Sequence, residues 1–235
     1  ALVGARAASG AEEVLLNSFE EPQTPWRILT DGTPSTTEPA LASSGSDGLQ
    51  SLRLPVNLPG TQGVATTYWL PTVTDPAAAR KLPPLAARKT WPMGAQRDEN
   101  ERARMGRWSH FTHILVDLYA PADAKDIHPI IYIKDGNLNH FQHVSADALA
   151  PGKWQTVRVK LTARTSGWEP HGHDKPWDGY CRQEVTEFGV KVTGRRRWQG
   201  KVLIDNVRLQ RNEEVLPKRN YIYNLRPNTS RVGRY

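Results

Sequence analysis

The chain has 235 residues, 38% of them hydrophobic and 23% charged, a balance that excludes a disordered polymer and suits one β-rich domain with its loops. No apolar run approaches the roughly 20 residues of a membrane helix, and a single cysteine, Cys181, excludes an internal disulfide and a multi-cysteine zinc site. The formal charge of +7 suits an anionic partner.

Residues 1–10 are small and polar, as in a chain processed on export, so a secreted or extracytoplasmic setting is expected. From there, short apolar or alternating runs recur between Gly, Pro, Asp, Asn and Ser, a spacing that predicts an antiparallel sandwich. The expected strands are residues 14–20, 49–56, 64–70, 109–119, 128–134, 137–145, 154–161, 184–193 and 201–210. Asp135-Gly136 predicts a two-residue hairpin turn, because that pair favours the positive φ the turn requires. Such a turn pairs Lys134 with Asn137, Tyr132 with Asn139, Ile130 with Phe141 and His128 with His143, which sends these side chains to one face. Ile131 and Ile133 then face the core. Alternation likewise turns His113, Asp117 and Tyr119 outward, and Phe188, Val190 and Val192 inward. Trp154, between Gly152-Lys153 and Gln155-Thr156-Val157, is expected in the core.

Two insertions interrupt the pattern. Residues 71–107 are too long for an ordinary connection, are rich in Lys and Arg, and could hold a short helix at 98–105. Residues 163–182 gather Trp168, Trp177, His171, His173, Asp174 and Asp178 in a polar loop. The domain is expected over 1–210, with 211–235 as a basic C-terminal extension or linker.

At the start, Leu15-Leu16-Asn17-Ser18-Phe19-Glu20 followed by Trp26 resembles the opening strand of jelly-roll carbohydrate-binding modules of the galactose-binding-like superfamily. At the end, Val202-Leu203-Ile204-Asp205-Asn206-Val207-Arg208-Leu209 resembles their closing strand, and residues 45–54 and 152–157 resemble strands between. The resemblance implies an all-β, two-sheet antiparallel jelly roll carrying two long loop insertions. It also implies a structural calcium joining the first and last strands, with Glu20 or Glu21, Asp47 and Asp205 as oxygen ligands; calcium takes six to eight such oxygens. Hydrogen bonding of these acids within the fold is the alternative.

Sugar binding needs flat rings for the apolar faces of pyranoses and a few polar groups to read hydroxyls. Tyr132, Lys134, Asn139, Phe141 and His143 supply that mixture on the hairpin face, and Trp168 and Trp177 offer stacking platforms beside it. The other reading of this face is burial beneath a loop. His171-Gly172-His173-Asp174 has metal-ligand chemistry but lacks a third partner. No phosphate loop, nucleophile elbow or nucleic-acid motif accompanies these residues, so no catalytic residue is assigned and no nucleic-acid or membrane partner is expected. The expected function is non-catalytic binding of a polysaccharide, acidic rather than neutral, in a chain with a possible attached catalytic domain. The enzymatic alternative is a β-eliminating polysaccharide lyase, using Tyr132, Lys134, Asn139 and His143, or another jelly-roll glycan-degrading enzyme, and a structural or protein-binding sandwich is the third reading.

Overall fold

A computed structural model describes residues 11–20, 26–30, 33–34, 40–60, 63–69, 106–162, 167–178 and 181–212. Among them the β-branched and aromatic runs form thirteen strands and no helix, so no helix there is long and apolar enough to cross a membrane. The strands are β1 (Ala11–Asn17), β2 (Trp26–Thr30), β3 (Thr33–Pro34), β4 (Leu41–Ala42), β5 (Ser51–Pro59), β6 (Gly63–Trp69) and β7 (His113–Ala120). They continue as β8 (Ile127–Asp135), β9 (His140–Val144), β10 (Lys153–Lys160), β11 (Trp168–His171), β12 (Val185–Gly194) and β13 (Arg197–Asn212). All nine expected strands are present. The short strands β2, β3, β4 and β11 were not legible as alternating runs. The helix expected at 98–105 lies outside the described residues, as do Glu21 and residues 213–235.

Two antiparallel sheets result. Sheet I has the order β10-β7-β13-β5-β4, with β1 also pairing β13; sheet II has the order β11-β9-β8-β12-β6-β2-β3. The closing strand β13 organises sheet I, pairing β5 through residues 197–204, β1 through 207–212 and β7 along its other edge. Its register breaks between Asp205 and Arg208, where Asn206 adopts a φ of 43°. The extra residue of this bulge resets the alternation. Val202 and Ile204 before it, and Val207 and Leu209 after it, therefore all reach the core.

The core fills the space between the sheets. Leu52, Leu54, Val56 and Leu58 of β5 and Ile114, Val116 and Leu118 of β7 meet Ile131, Ile133, Phe188, Val190 and Val192 from sheet II. Trp26 packs edge-on to Phe188 at 5.7 Å and tilted against Phe19 at 5.6 Å, and Trp108 closes on Phe188 from another side at 5.7 Å. Trp154 departs from expectation. Its pairing with Tyr119 places it on the outer face of sheet I, half-buried, while Val157 and Val159 take the inward positions of β10.

Candidate functional site

The hairpin joining β8 and β9 does not turn over two residues. The Asp135 carboxylate accepts hydrogen bonds from the Asn137 and Asn139 amides at 2.9 and 3.0 Å, and Leu138 takes a φ of 63°, so four residues make the turn. Burial opposes ionisation of Asp135, but hydrogen bonds from Asn139, Asn137 and Lys175 outweigh it and hold the carboxyl below its usual range. Lys134 consequently pairs with His140, Tyr132 with Gln142, and Ile133 with Phe141. The shift from the expected register is odd in number, and an odd shift exchanges the faces of the second strand. This corrects the expected placement of three site residues. Phe141 is fully buried, His143 sits opposite Ile131 against the Trp168 ring, and Asn139 belongs to the turn, with its amide bonded to Asp135.

Tyr132 and Lys134 do lie on the outer face of sheet II, in company that strand pairing supplies. One row across the sheet reads Glu169, Gln142, Tyr132, Gly189, Tyr68, Arg27; the next reads His171, His140, Lys134, Glu187. The Tyr132 hydroxyl donates to Glu187 Oε1 at 2.8 Å, and Lys134 Nζ donates to Glu187 Oε2 at 2.9 Å. Lys191 Nζ stands 4.6 Å from the Tyr132 ring centre and donates to His140 Nε2 at 3.3 Å, which puts the proton of the neutral imidazole on Nδ1. His140 packs on Tyr132 at 4.9 Å and on the exposed His171 at 5.0 Å. The Tyr132 ring is 2% exposed, so the face offers charges and hydrogen-bonding groups where a stacking platform was expected. Its two lysines exceed its one inner carboxylate, Glu187. Glu187, Lys191, His140 and His171 were absent from the expected site, although outward alternation of Glu187 and Lys191 follows once Phe188 and Val190 are assigned inward.

Trp168 and Trp177 are also placed differently. Their rings stack on each other at 4.4 Å and 13°, each 6% exposed, and Trp177 meets Phe141 edge-on at 5.3 Å. Their indole N–H groups donate to the carbonyls of Lys160 and Thr162, at and beyond the end of β10, so the pair closes the edge between the two sheets. Gly167 enters β11 with a φ of 97°, and a Cβ there would stand 2.6 Å from His143 Nε2. His173 Nε2 bonds the His140 carbonyl at 2.8 Å. The thiol of buried Cys181 is pushed up to about 12 by burial, which keeps it protonated and unreactive.

Three histidines resist protonation, His143 among them through burial, and the other two most strongly. Burial first, then Lys191, His171, Lys134 and His173, press His140 down to about 3; burial, Arg158 and Lys160 press His113 down to about 4. Both values lie below the 6.5 of a free imidazole, so the unfolded chain binds protons that the folded chain refuses. Their contribution to stability is complete above pH 6.5 and is lost as the pH falls toward 4 and then 3. The melting temperature is expected to drop on acidification from neutrality, and His140→Gln to flatten part of the drop. An unchanged or rising melting temperature contradicts this assignment.

Glu20 and Asp205 come together around the 45–50 loop, but not as open ligands. Glu20 Oε1 accepts the Leu49 and Gln50 amides at 2.9 and 3.0 Å; a Cβ at Gly48 would collide with that carboxylate. Asp205, fully buried, accepts the Ser46 amide at 2.6 Å and its own Asn206 amide at 2.7 Å. Asp47 is exposed, and no group of three His, Cys, Asp or Glu able to hold a metal occurs among the described residues. A set of N–H donors does not fit calcium, which requires oxygens around it. The acids pin the loop to the first and last strands directly. Glu20→Ala is expected to cost about 1–3 kcal/mol, and chelation to leave the melting temperature unchanged; a fall on chelation would restore a metal to this place.

No protein-family model matches the chain, and no curated protein matches it. Among solved structures, an exo-β-agarase is similar with a TM-score of 0.50 at 14% identity, over 85% of this chain and 25% of that one. The family 11 carbohydrate-binding module of Clostridium thermocellum, in complex with a β-1,3-1,4-mixed-linked tetrasaccharide, covers 84% of this chain and 94% of its own at 15% identity and a TM-score of 0.48. The L4b domain of human laminin alpha-2 covers 86% and 98% at 11% identity and a TM-score of 0.44. The fold is the two-sheet jelly roll that the motifs at both ends of the sequence implied.

Proposed function

We propose that this chain binds a polysaccharide without transforming it, through the outer face of sheet II, and that the preferred polymer is acidic. The observation that carries the reading is the constellation of Tyr132, Lys134, Glu187, Lys191, His140 and His171 gathered from four adjacent strands. Lys134 and Lys191 can pair with sugar carboxylates, while Glu187, Gln142 and His171 can read hydroxyls. Gly189 leaves the middle of the face without a side chain of its own, next to Tyr132. A secreted or extracytoplasmic setting and attachment to a catalytic domain belong to the same proposal; the similar agarase is itself a chain about four times the length of the shared region.

The test is affinity electrophoresis through alginate, polygalacturonate and a mixed-linkage β-glucan, with ultraviolet absorbance followed in parallel. Retardation by the uronate polymers that weakens with salt is the expected result. Retardation only by the neutral glucan overturns the acidic preference, and no retardation by any polymer overturns the function. New absorbance from an unsaturated uronate would favour the lyase.

A further inference from the structure

Sheet I also has an outer face, and cross-strand pairing sets a row of side chains along it: half-buried Trp154 on β10 and Tyr119 on β7, buried Leu203 on β13 and half-buried Arg53 on β5. The row spans three inter-strand spacings, about 14 Å. The Trp154 and Tyr119 rings lie 5.6 Å apart at 45°, both partly exposed. Arg53 Nε is buried and has no hydrogen-bond partner among the described residues, which leaves the terminal nitrogens of the guanidinium to meet a ligand. Exposed Lys201 flanks Leu203, and exposed Arg158 and Lys160 continue outward from Trp154 along β10. Of the acids on this face, Glu13 and Asp117 engage Arg208 at 3.6 and 3.1 Å, and buried Asp205, paired with Asp117, accepts the Ser46 and Asn206 amides. Among the described residues no carboxylate pairs with Arg53, Lys201, Arg158 or Lys160.

We propose that this face is a second binding surface for acidic polysaccharide, so that one domain grips two chains on opposite sides. The proposal rests on the reading that the chain binds glycans. Partly exposed rings accept the C–H face of a pyranose, and Arg53, at the far end of the row, has the planar fork that matches a uronate carboxylate. Charge complementarity selects the acidic polymer. A protein partner would need an apolar centre, but charged side chains surround the ring pair, and the face's exposed large hydrophobic residue, Leu15, lies beside Arg208 instead.

Two faces on one domain make a cross-linker. Light scattering of the full chain mixed with alginate is expected to report bridged polymer, and isothermal titration to report two sites. Trp154→Ala and Arg53→Gln should each halve the stoichiometry and abolish bridging while retaining binding through sheet II, and Trp154→Phe should keep both sites. Lys134→Ala with Lys191→Ala should leave the sheet I site alone. Bridging that survives both Trp154→Ala and Arg53→Gln, in proteins with parental melting temperatures, overturns the second site and leaves the proposed function intact. Absence of binding by the parent to alginate and polygalacturonate overturns the second site, and absence of binding to the mixed-linkage glucan as well overturns both. Capture of a single-stranded oligonucleotide or of a protein by this face, in place of alginate, overturns the second site as a glycan surface.

Discussion

Trp168→Ala is expected to lower stability by about 3–5 kcal/mol, the usual cost of truncating a buried aromatic residue, while leaving glycan affinity of the folded protein unchanged. The indole is 6% exposed, stacks on Trp177 at 4.4 Å and bonds the Lys160 carbonyl at 2.7 Å. Truncation opens a cavity, leaves Trp177 packed on one side only and removes a bond that ties β11 in sheet II to β10 in sheet I. For a chain of this size each kcal/mol moves the melting temperature by roughly 2–4 °C, so the fall should be near 10 °C or more. Urea denaturation followed by tyrosine and tryptophan fluorescence measures it. If Trp168→Ala instead melts like the parent and loses polysaccharide binding, the ring is a stacking platform and its burial here is wrong.

The contrast shows what local sequence carries. Alternation within β7, β8 and β12 is a local property, and the inward sets Ile114-Val116-Leu118, Ile131-Ile133 and Phe188-Val190-Val192 were legible from it. The β8–β9 register was not, because it depends on a carboxylate gripping the turn from Asp135 and on one residue, Leu138, accepting a left-handed φ. Three positions of slip moved Phe141 and His143 to the opposite side. Burial of Trp168 and Trp177 was hidden by the polar loop around them, since their N–H partners sit on the other sheet. Glu187 and Lys191 had a readable direction but no readable neighbour; only the pairing of β12 with β8 brings them to Tyr132 and Lys134.

Replacing Lys134 and Lys191 together by Met is expected to weaken uronate binding at the sheet II site by at least about a hundredfold and to remove most of that site's salt dependence, leaving only the sheet I site at parental affinity. A charge-assisted hydrogen bond contributes roughly 1.5–3 kcal/mol, and each 1.4 kcal/mol is about a factor of ten in affinity, so two lysines suffice for the loss. Folding should survive. Met keeps the long apolar stem of each side chain, and Glu187 retains the bond from the Tyr132 hydroxyl at 2.8 Å. Lys191 carries a second consequence that binding alone would not reveal. After burial it is the largest cause holding His140 low, so Lys191→Met should raise the His140 titration midpoint while burial keeps it below the ordinary imidazole value. Titration by nuclear magnetic resonance reads that shift in the absence of any ligand. A raised His140 midpoint with undiminished uronate binding would show that Lys191 sits where the structure places it and that the outer face of sheet II is not the polysaccharide site.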